Sequence, residues 1–248
     1  MNAPKISPIS AGSCWSCKAA TNGVAFCPNC GKIQPVLAQA NYFELFALPR
    51  KLGIGMNDLE QEFLQQSWKL HPDNFVNASE REKETSLQRS SKLNDAHRVL
   101  RDPVARVEYL LEIEDMRKEG EHKQQAPPEL LEEVFELNES LDELRDAKSA
   151  GADVTALRSK LKAAQQNFQT KLSEVDAELQ TAAKQWDAAQ DANAADADKK
   201  AIMQRLNELL NRRSYIRNLV DGVEKELSAG ALDQPPSDLQ RDLPGAGS

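Results

Sequence analysis

Nowhere in these 248 residues do apolar side chains run unbroken for the ~18 positions a membrane-spanning helix needs. The N-terminus has no apolar core of the signal-peptide kind, and Met1–Ser13 is not an arginine-rich amphipathic presequence. The expectation is therefore a soluble protein with no membrane partner, working in the cytoplasm of a bacterium. Aromatic residues make up only 5% of the chain, which suits helices packed by Leu, Ala and Val better than a sheet. Basic charge is also short: the net charge is −8, and because residues 1–40 carry Lys5, Lys18 and Lys32 with no acid, the remainder stands at −11. That excludes a general nucleic-acid binder, including a zinc-ribbon adaptor that would need a basic face. Histidine is scarce, and His97 and His122 have no ligand spacing to each other or to the cysteines. His97 is expected to pack in a helix and His122 to sit in a solvated linker. No phosphate loop, nucleophile elbow or paired catalytic carboxylates stand out, so no catalytic residue is assigned and the chain is not expected to be an enzyme.

The four cysteines all fall in one pattern, Cys14-Trp15-Ser16-Cys17 and Cys27-Pro28-Asn29-Cys30. A two-residue gap lets both thiolates of a knuckle reach one ion at ~2.3 Å, and two knuckles complete a four-thiolate tetrahedron. Gly23 and Gly31 supply the backbone freedom such turns use. Two disulfides are the first rival, disfavoured in a cytosolic chain; a redox Cys-x-x-Cys is the second, and it predicts one motif on a βα unit rather than two in a short segment. The reading is one structural zinc on Cys14, Cys17, Cys27 and Cys30, with iron of rubredoxin type using the same ligands and staying open. Four protein thiolates leave no coordination position for catalysis. Losing the ion is expected to unfold residues 12–36 alone.

The rest is helical in pattern, giving a mainly all-α chain: a small zinc-ribbon-like module over 12–36, a helical unit over 41–116, a polar linker over 117–126, a C-terminal antiparallel three-helix bundle over 127–228, and a disordered tail over 230–248. Leu130, Val134, Leu137, Leu141 and Leu144 form one seam. Gly151 breaks it, and stripes from Val154 to Trp186 and from Ile202 to Leu227 follow. Asp187–Asp198, poor in apolar residues, reads as solvated helix or a long turn. In the middle unit, Asn41–Phe46 forms a short helix stopped by Pro49. Asn57-Asp58-Leu59-Glu60 reads as a capping box opening a helix that carries Leu59, Phe63 and Leu70. Ser79-Glu80-Arg81-Glu82 opens another through Leu87, Leu93, Ala96, Val99 and Leu100, with Pro103 punctuating its end. Joined by about ten polar residues, the two helices are expected to pack antiparallel.

Between them stands His71-Pro72-Asp73, followed by Asn74-Phe75, the mark of a J-domain. The stretch from Leu93 to Leu111, with Asn94, Ala96, Leu100, Pro103, Arg106, Tyr109, Leu110 and Leu111 at their spacings, is more specific still. It resembles the end of the J-domain in HscB-type co-chaperones of iron–sulfur cluster assembly, a likeness covering about 41–228, and an N-terminal tetracysteine module is found on some members. The resemblance implies an adaptor that binds an IscU-type scaffold, presents it to a heat-shock ATPase of the HscA or DnaK type and stimulates ATP hydrolysis. It also implies that His71, Pro72 and Asp73 contact the ATPase. A general J-domain co-chaperone for unfolded clients is the runner-up.

Two departures and one surface complete the reading. Helices before this loop usually present bases to the ATPase, whereas here Asp58, Glu60 and Glu62 accompany only Lys69, and Asn74 stands where lysine is usual, which weakens electrostatic steering. Trp68 lies on or beside the expected docking face and reads equally as a contact or as packing at an inter-domain seam. Leu131 and Phe135 fall off the bundle seam as an i, i+4 pair, and Tyr215 lies outside the last stripe; a wide core stripe and a partner surface both account for them. The resemblance favours the second, since Leu131, Phe135, Glu136, Glu139 and Tyr215 fall where HscB-type proteins bind their scaffold. Glu132 replaces an often apolar residue there.

Overall fold

In the computed structural model, residues 12–21, 23–37, 40–117 and 127–228 are described. The tail from residue 230 and His122 lie outside them. Among the described residues, seven α-helices follow two small cysteine-bearing turns: α1 (Tyr42–Leu45), α2 (Met56–Leu70), α3 (Glu80–Arg101), α4 (Pro103–Ile113), α5 (Leu131–Ser149), α6 (Thr155–Asp191) and α7 (Asp196–Ser228). Among the described residues, strand pairing is confined to two isolated bridges, Ser13 with Ala20 and Phe26 with Ile33, one in each knuckle hairpin. The chain forms two compact units, Met1–Glu121 with Leu179–Leu210, and His122–Glu178 with Asn211–Ser248.

In the first unit the expected short helix forms over Tyr42–Leu45, with Asn41 as its cap: the Asn41 side chain accepts from Glu44 N at 3.0 Å while Glu44 accepts from Asn41 N at 3.2 Å. The start of α2 differs from expectation. Gly55 is its N-cap and Asn57-Asp58 lie inside the first turn, so the capping box does not form. Asp58 instead approaches Gly55, where a Cβ would stand 2.7 Å from its carboxylate oxygen, so any side chain there would push the carboxylate away. The α3 cap does form, with Ser79 N and Oγ donating to Glu82 Oε2 at 3.3 and 2.8 Å. Leu87, expected on the core side of α3, is exposed. The buried face of that half of α3 is polar instead: Glu82, Thr85, Ser86 and Arg89.

Residues of the Leu93–Leu111 motif have structural work. Asp102 caps α4 by accepting from Val104 N and Ala105 N at 2.8 and 2.7 Å, ahead of Pro103 at the first helical position. Arg106 is buried and donates to Leu100 O at 2.6 Å and to Leu52 O, joining the α3 end to the loop before α2. Tyr109 Oη accepts from Tyr42 N at 2.9 Å and its ring stacks on Tyr42, fixing α1; Leu110 and Leu111 enter the core.

The same unit takes in the end of α6 and the beginning of α7. Trp186, fully buried, donates to Arg50 O at 2.9 Å, and the Asp187 carboxylate accepts from Leu52 N and Gly53 N, both at 2.7 Å. Asp187–Asp198 is mostly solvated helix and turn, as its composition suggests, apart from the buried Ala189 and the Asp187 contact: α6 runs on to Asp191 and a short turn leads into α7.

The second unit is the expected up-down-up bundle. Leu130, Val134, Leu137 and Leu144 of the first seam are buried, as are Leu161, Phe168 and Val175 of α6 and Ile216, Val220 and Val223 of α7. Ion pairs give the directions: Lys171 of α6 meets Glu133 at the start of α5 (3.0 Å), Arg145 near the end of α5 meets Glu226 at the end of α7 (2.7 Å), and Arg213 of α7 meets Asp176 of α6 (2.5 Å). Gly151, with φ of 65°, makes the turn between α5 and α6.

Candidate functional site

Three groups of residues singled out by sequence have definite surroundings. The first is the cysteine cluster. Cys14 Sγ lies 3.7 Å from Cys30 Sγ and Cys17 Sγ lies 3.6 Å from Cys27 Sγ, and all four sulfurs fall within 4.8 Å of one another. A tetrahedron with Zn–S bonds of ~2.3 Å has edges of ~3.8 Å, whereas a disulfide needs ~2.05 Å. The four thiols are free, and the cluster can bind one metal ion. Ser16 N and Cys17 N point at Cys14 Sγ at 3.3 and 3.4 Å, the Gln34 amide donates to it at 3.3 Å, and the Asn29 amide donates to Cys17 Sγ at 3.5 Å.

The electrostatics suit a cation. Burial pushes the Cys14 thiol up, but the Cys17 and Ser16 N–H groups and the neighbouring thiols outweigh it and bring it down to about 6. Cys17 is lowered too, chiefly by the Asn29 amide. At Cys30 the Lys32 N–H pulls down, yet burial and three neighbouring sulfurs push it up to about 12. Burial and hydrogen bonding to the neighbouring sulfurs thus keep the proton on this thiol, and a bound dication would favour its thiolate.

The second group is the His71–Asp73 loop. It forms a 3-10 turn, Pro72–Phe75, between α2 and α3, with His71 and Asp73 exposed and Phe75 plugged into the core. Its shape is set from both sides. Ser86 and Ser90 of α3 donate to Leu70 O at 2.6 and 3.0 Å, Asn74 donates to Trp68 O at 2.6 Å, and Asp73 N donates to His71 Nδ1 at 3.3 Å. Ser67, Trp68, His71, Asp73 and Asn74 line one open groove. Trp68 is 82% exposed, which removes the seam-packing alternative. Leu64, one turn earlier on α2, is also exposed. His97 packs as expected, its ring stacked 4.0 Å from Phe63 and its Nε2 2.9 Å from Glu60 Oε2.

The third group lies in the second unit. Leu131 is 55% and Phe135 71% exposed, so neither belongs to a wide core stripe. Glu136 and Glu139 are exposed on the same helix, at positions continuing that face, while Tyr215 on α7 is half-buried.

Sequence reasoning missed the polar face of α3. Glu82 and Arg89 bind the cysteine module, but partners lying 50 and 55 residues away leave no periodic signal. The Lys32 ammonium, 2.9 Å away, is the main reason the Glu82 carboxyl is held below its usual range, with the Ser79 hydroxyl and N–H adding to it against burial.

Comparison with known proteins shows what the chain is similar to. The family described as "HSCB C-terminal oligomerisation domain" matches residues 126–224. A co-chaperone protein HscB homolog of Vibrio vulnificus is 36% identical over 154 residues, 61% of this chain and 85% of that protein. One from Photobacterium profundum is 40% identical over 107 residues, 43% of this chain and 63% of the relative. The crystal structure of human co-chaperone protein HscB superposes with a TM-score of 0.59 at 23% identity, covering 87% of this chain and 98% of that one.

Proposed function

The chain belongs to the HscB family of co-chaperones, and from that premise we propose that it binds an IscU-type iron–sulfur scaffold, delivers it to an HscA- or DnaK-type chaperone and stimulates that chaperone's ATPase. The observation that carries the reading is the exposed His71-Pro72-Asp73 loop, held in one shape by Phe75 below and by Ser86 and Ser90 behind it. A rigid exposed loop loses little freedom on docking. Pro72 restricts it, and the exposed Asp73 carboxylate, 3.5 Å from His71 Nδ1, can pair with a cation on the ATPase. The protein does no chemistry in this scheme; it positions a client and triggers its partner. The scaffold docks on Leu131, Phe135, Glu136, Glu139 and Tyr215, where two apolar side chains stand in water beside carboxylates. Among the described residues no helix is long and apolar enough to cross a membrane, and a cluster of free thiols suits a reducing compartment, here the bacterial cytoplasm. The direct test is a steady-state ATPase assay of a chaperone of this type with purified protein and scaffold: stimulation that rises with both supports the reading, and none at any concentration removes it.

Trp68 adds to the ATPase contact. It lines the groove that also holds His71 and Asp73, on a helix short of the bases that would otherwise steer association. Trp68→Ala should raise the concentration giving half-maximal ATPase stimulation roughly tenfold, the scale of a lost aromatic anchor, with an unchanged melting curve. An unaltered concentration dependence would place the contact elsewhere.

The cysteine cluster holds one zinc ion in this reading, with a structural role since all four positions are filled by protein sulfur. Elemental analysis of the isolated protein should give one ion per chain, and Cys14→Ser or Cys27→Ser should release it. Iron in place of zinc would show as charge-transfer colour; an oxidised, metal-free protein would overturn the assignment.

A further inference from the structure

The contacts between the cysteine module and α3 revise the expectation that ion loss unfolds residues 12–36 alone. Arg89 of α3 is buried, and its guanidinium donates to three main-chain carbonyls of the module: Gln34 O, Pro35 O at 3.1 Å and Val24 O at 3.4 Å. Val24 precedes the second knuckle and Gln34-Pro35 follow it, so this cup of acceptors exists only when the knuckle hairpin is closed. Gln34 also reaches the ligands directly. Its side-chain amide donates to Cys14 Sγ at 3.3 Å, and its amide oxygen accepts from Trp15 N at 3.3 Å. One residue thus holds a ligand sulfur with its side chain and the α3 cation with its carbonyl.

Two further links lie along the same face. Lys32, two residues after Cys30, pairs with Glu82 Oε2 at 2.9 Å, the same oxygen that receives Ser79 N and Oγ at the α3 cap. The Arg81 guanidinium lies 4.5 Å from the centre of the Trp15 ring, and Trp15 Nε1 is tied to Ile33 O at 2.7 Å. Ile33 is one of few large apolar side chains buried within the module, which is too small to hold this shape without an ion. A buried guanidinium whose acceptors are removed must rehydrate or move, and either changes the packing of α3.

We propose that the tetracysteine module is a metal-dependent brace for α3: ion binding at Cys14, Cys17, Cys27 and Cys30 is coupled through Gln34 to the docking of Arg89, and through Lys32 to the cap at Ser79–Glu82. The brace rests on the reading that the cluster holds a metal. It also gives the module a role beyond its own fold, because the braced half of α3 carries Ser86, which holds Leu70 O at the root of the His71 loop. Coupling of this kind is reciprocal: whatever stabilisation the ion gives α3, an intact Arg89 must return to the ion.

The reciprocity supplies the test, made on the full chain. Arg89→Met keeps the aliphatic stem and removes every donor. It should weaken zinc binding roughly tenfold, within the usual range of coupling between sites, as read by competition with a chromophoric zinc chelator. Hydrogen exchange should report the other side. Removing zinc from the wild type should speed exchange of α3 amides around 80–90 as well as those of the module, and should do so far less in Arg89→Met, where the coupling is already cut. Glu82→Gln, which weakens the Lys32 link but leaves Arg89 in place, should lower zinc affinity by a smaller factor and decides the question should Arg89→Met fail to fold. Zinc affinity equal to wild type in the variants, with α3 exchange indifferent to zinc, would overturn the brace while leaving the metal site standing. Failure of the wild type to bind zinc at all would instead remove the metal reading on which it rests.

Discussion

His71→Gln should reduce stimulation of the partner ATPase to the chaperone's basal rate while the circular dichroism spectrum and scaffold binding stay as they are. The side chain is exposed, and its ordered local contacts are both with Asp73: it accepts from Asp73 N at 3.3 Å, which glutamine can partly replace, and lies 3.5 Å from the Asp73 carboxylate. The loop's shape does not depend on it. Pro72 limits the backbone, Phe75 anchors the far end, and the Ser86 and Ser90 hydroxyls hold Leu70 O at the near end. Surface substitutions of this kind change stability by about 0.5 kcal/mol or less, so lost stimulation would report a lost contact rather than a lost fold. Scaffold affinity is the internal control, because Leu131, Phe135 and Tyr215 belong to the other compact unit. Stimulation retained at the wild-type level would remove the central claim.

Leu131→Ala combined with Phe135→Ala should weaken binding of an IscU-type scaffold at least roughly tenfold, since each anchor at an interface centre can contribute ~2 kcal/mol. The melting temperature should barely move, and scaffold-independent ATPase stimulation should be unaffected. The contrast lies within one helix. Leu130, Leu137 and Leu144 are fully buried or nearly so, and truncating one of them should cost about 2–5 kcal/mol of stability. Leu131 and Phe135, at 55% and 71% exposure, have little packing to lose. Calorimetry and a melting curve on one preparation, with Leu137→Ala as the core control, separate the two roles. A double mutant that loses several degrees while binding as before would return these residues to the seam.

Much of the architecture was legible along the chain because it is encoded locally. Of the seam through Leu130, Val134, Leu137, Leu141 and Leu144, all but the half-buried Leu141 are buried as the spacing predicts, Ser79 caps α3, and Gly151 turns with positive φ. The paired Cys-x-x-Cys knuckles placed four sulfurs within reach of one ion for the same reason: each pair is set by two intervening residues. Where periodicity was read without its partners it misled. Leu87 fits the α3 apolar rhythm and is exposed, because that half of the helix faces the polar rim of the cysteine module. Asn57 has the spacing of a capping box, but α2 already begins at Met56 behind Gly55.

The sequence by itself determined most of the helices, the cap of α3, the loop that exposes His71 and Asp73, and the four-cysteine cluster, since each depends on neighbours a few residues apart. It left open whether Trp68, Leu131 and Phe135 lie inside or outside, because an apolar side chain carries the same signal in a core and at a binding face. Only packing against distant segments resolved that, by filling the seams without them. The polar half of α3 likewise acquired its meaning in three dimensions, where Arg89 meets carbonyls 54 to 65 residues away, a relation of chain closure that no local pattern records.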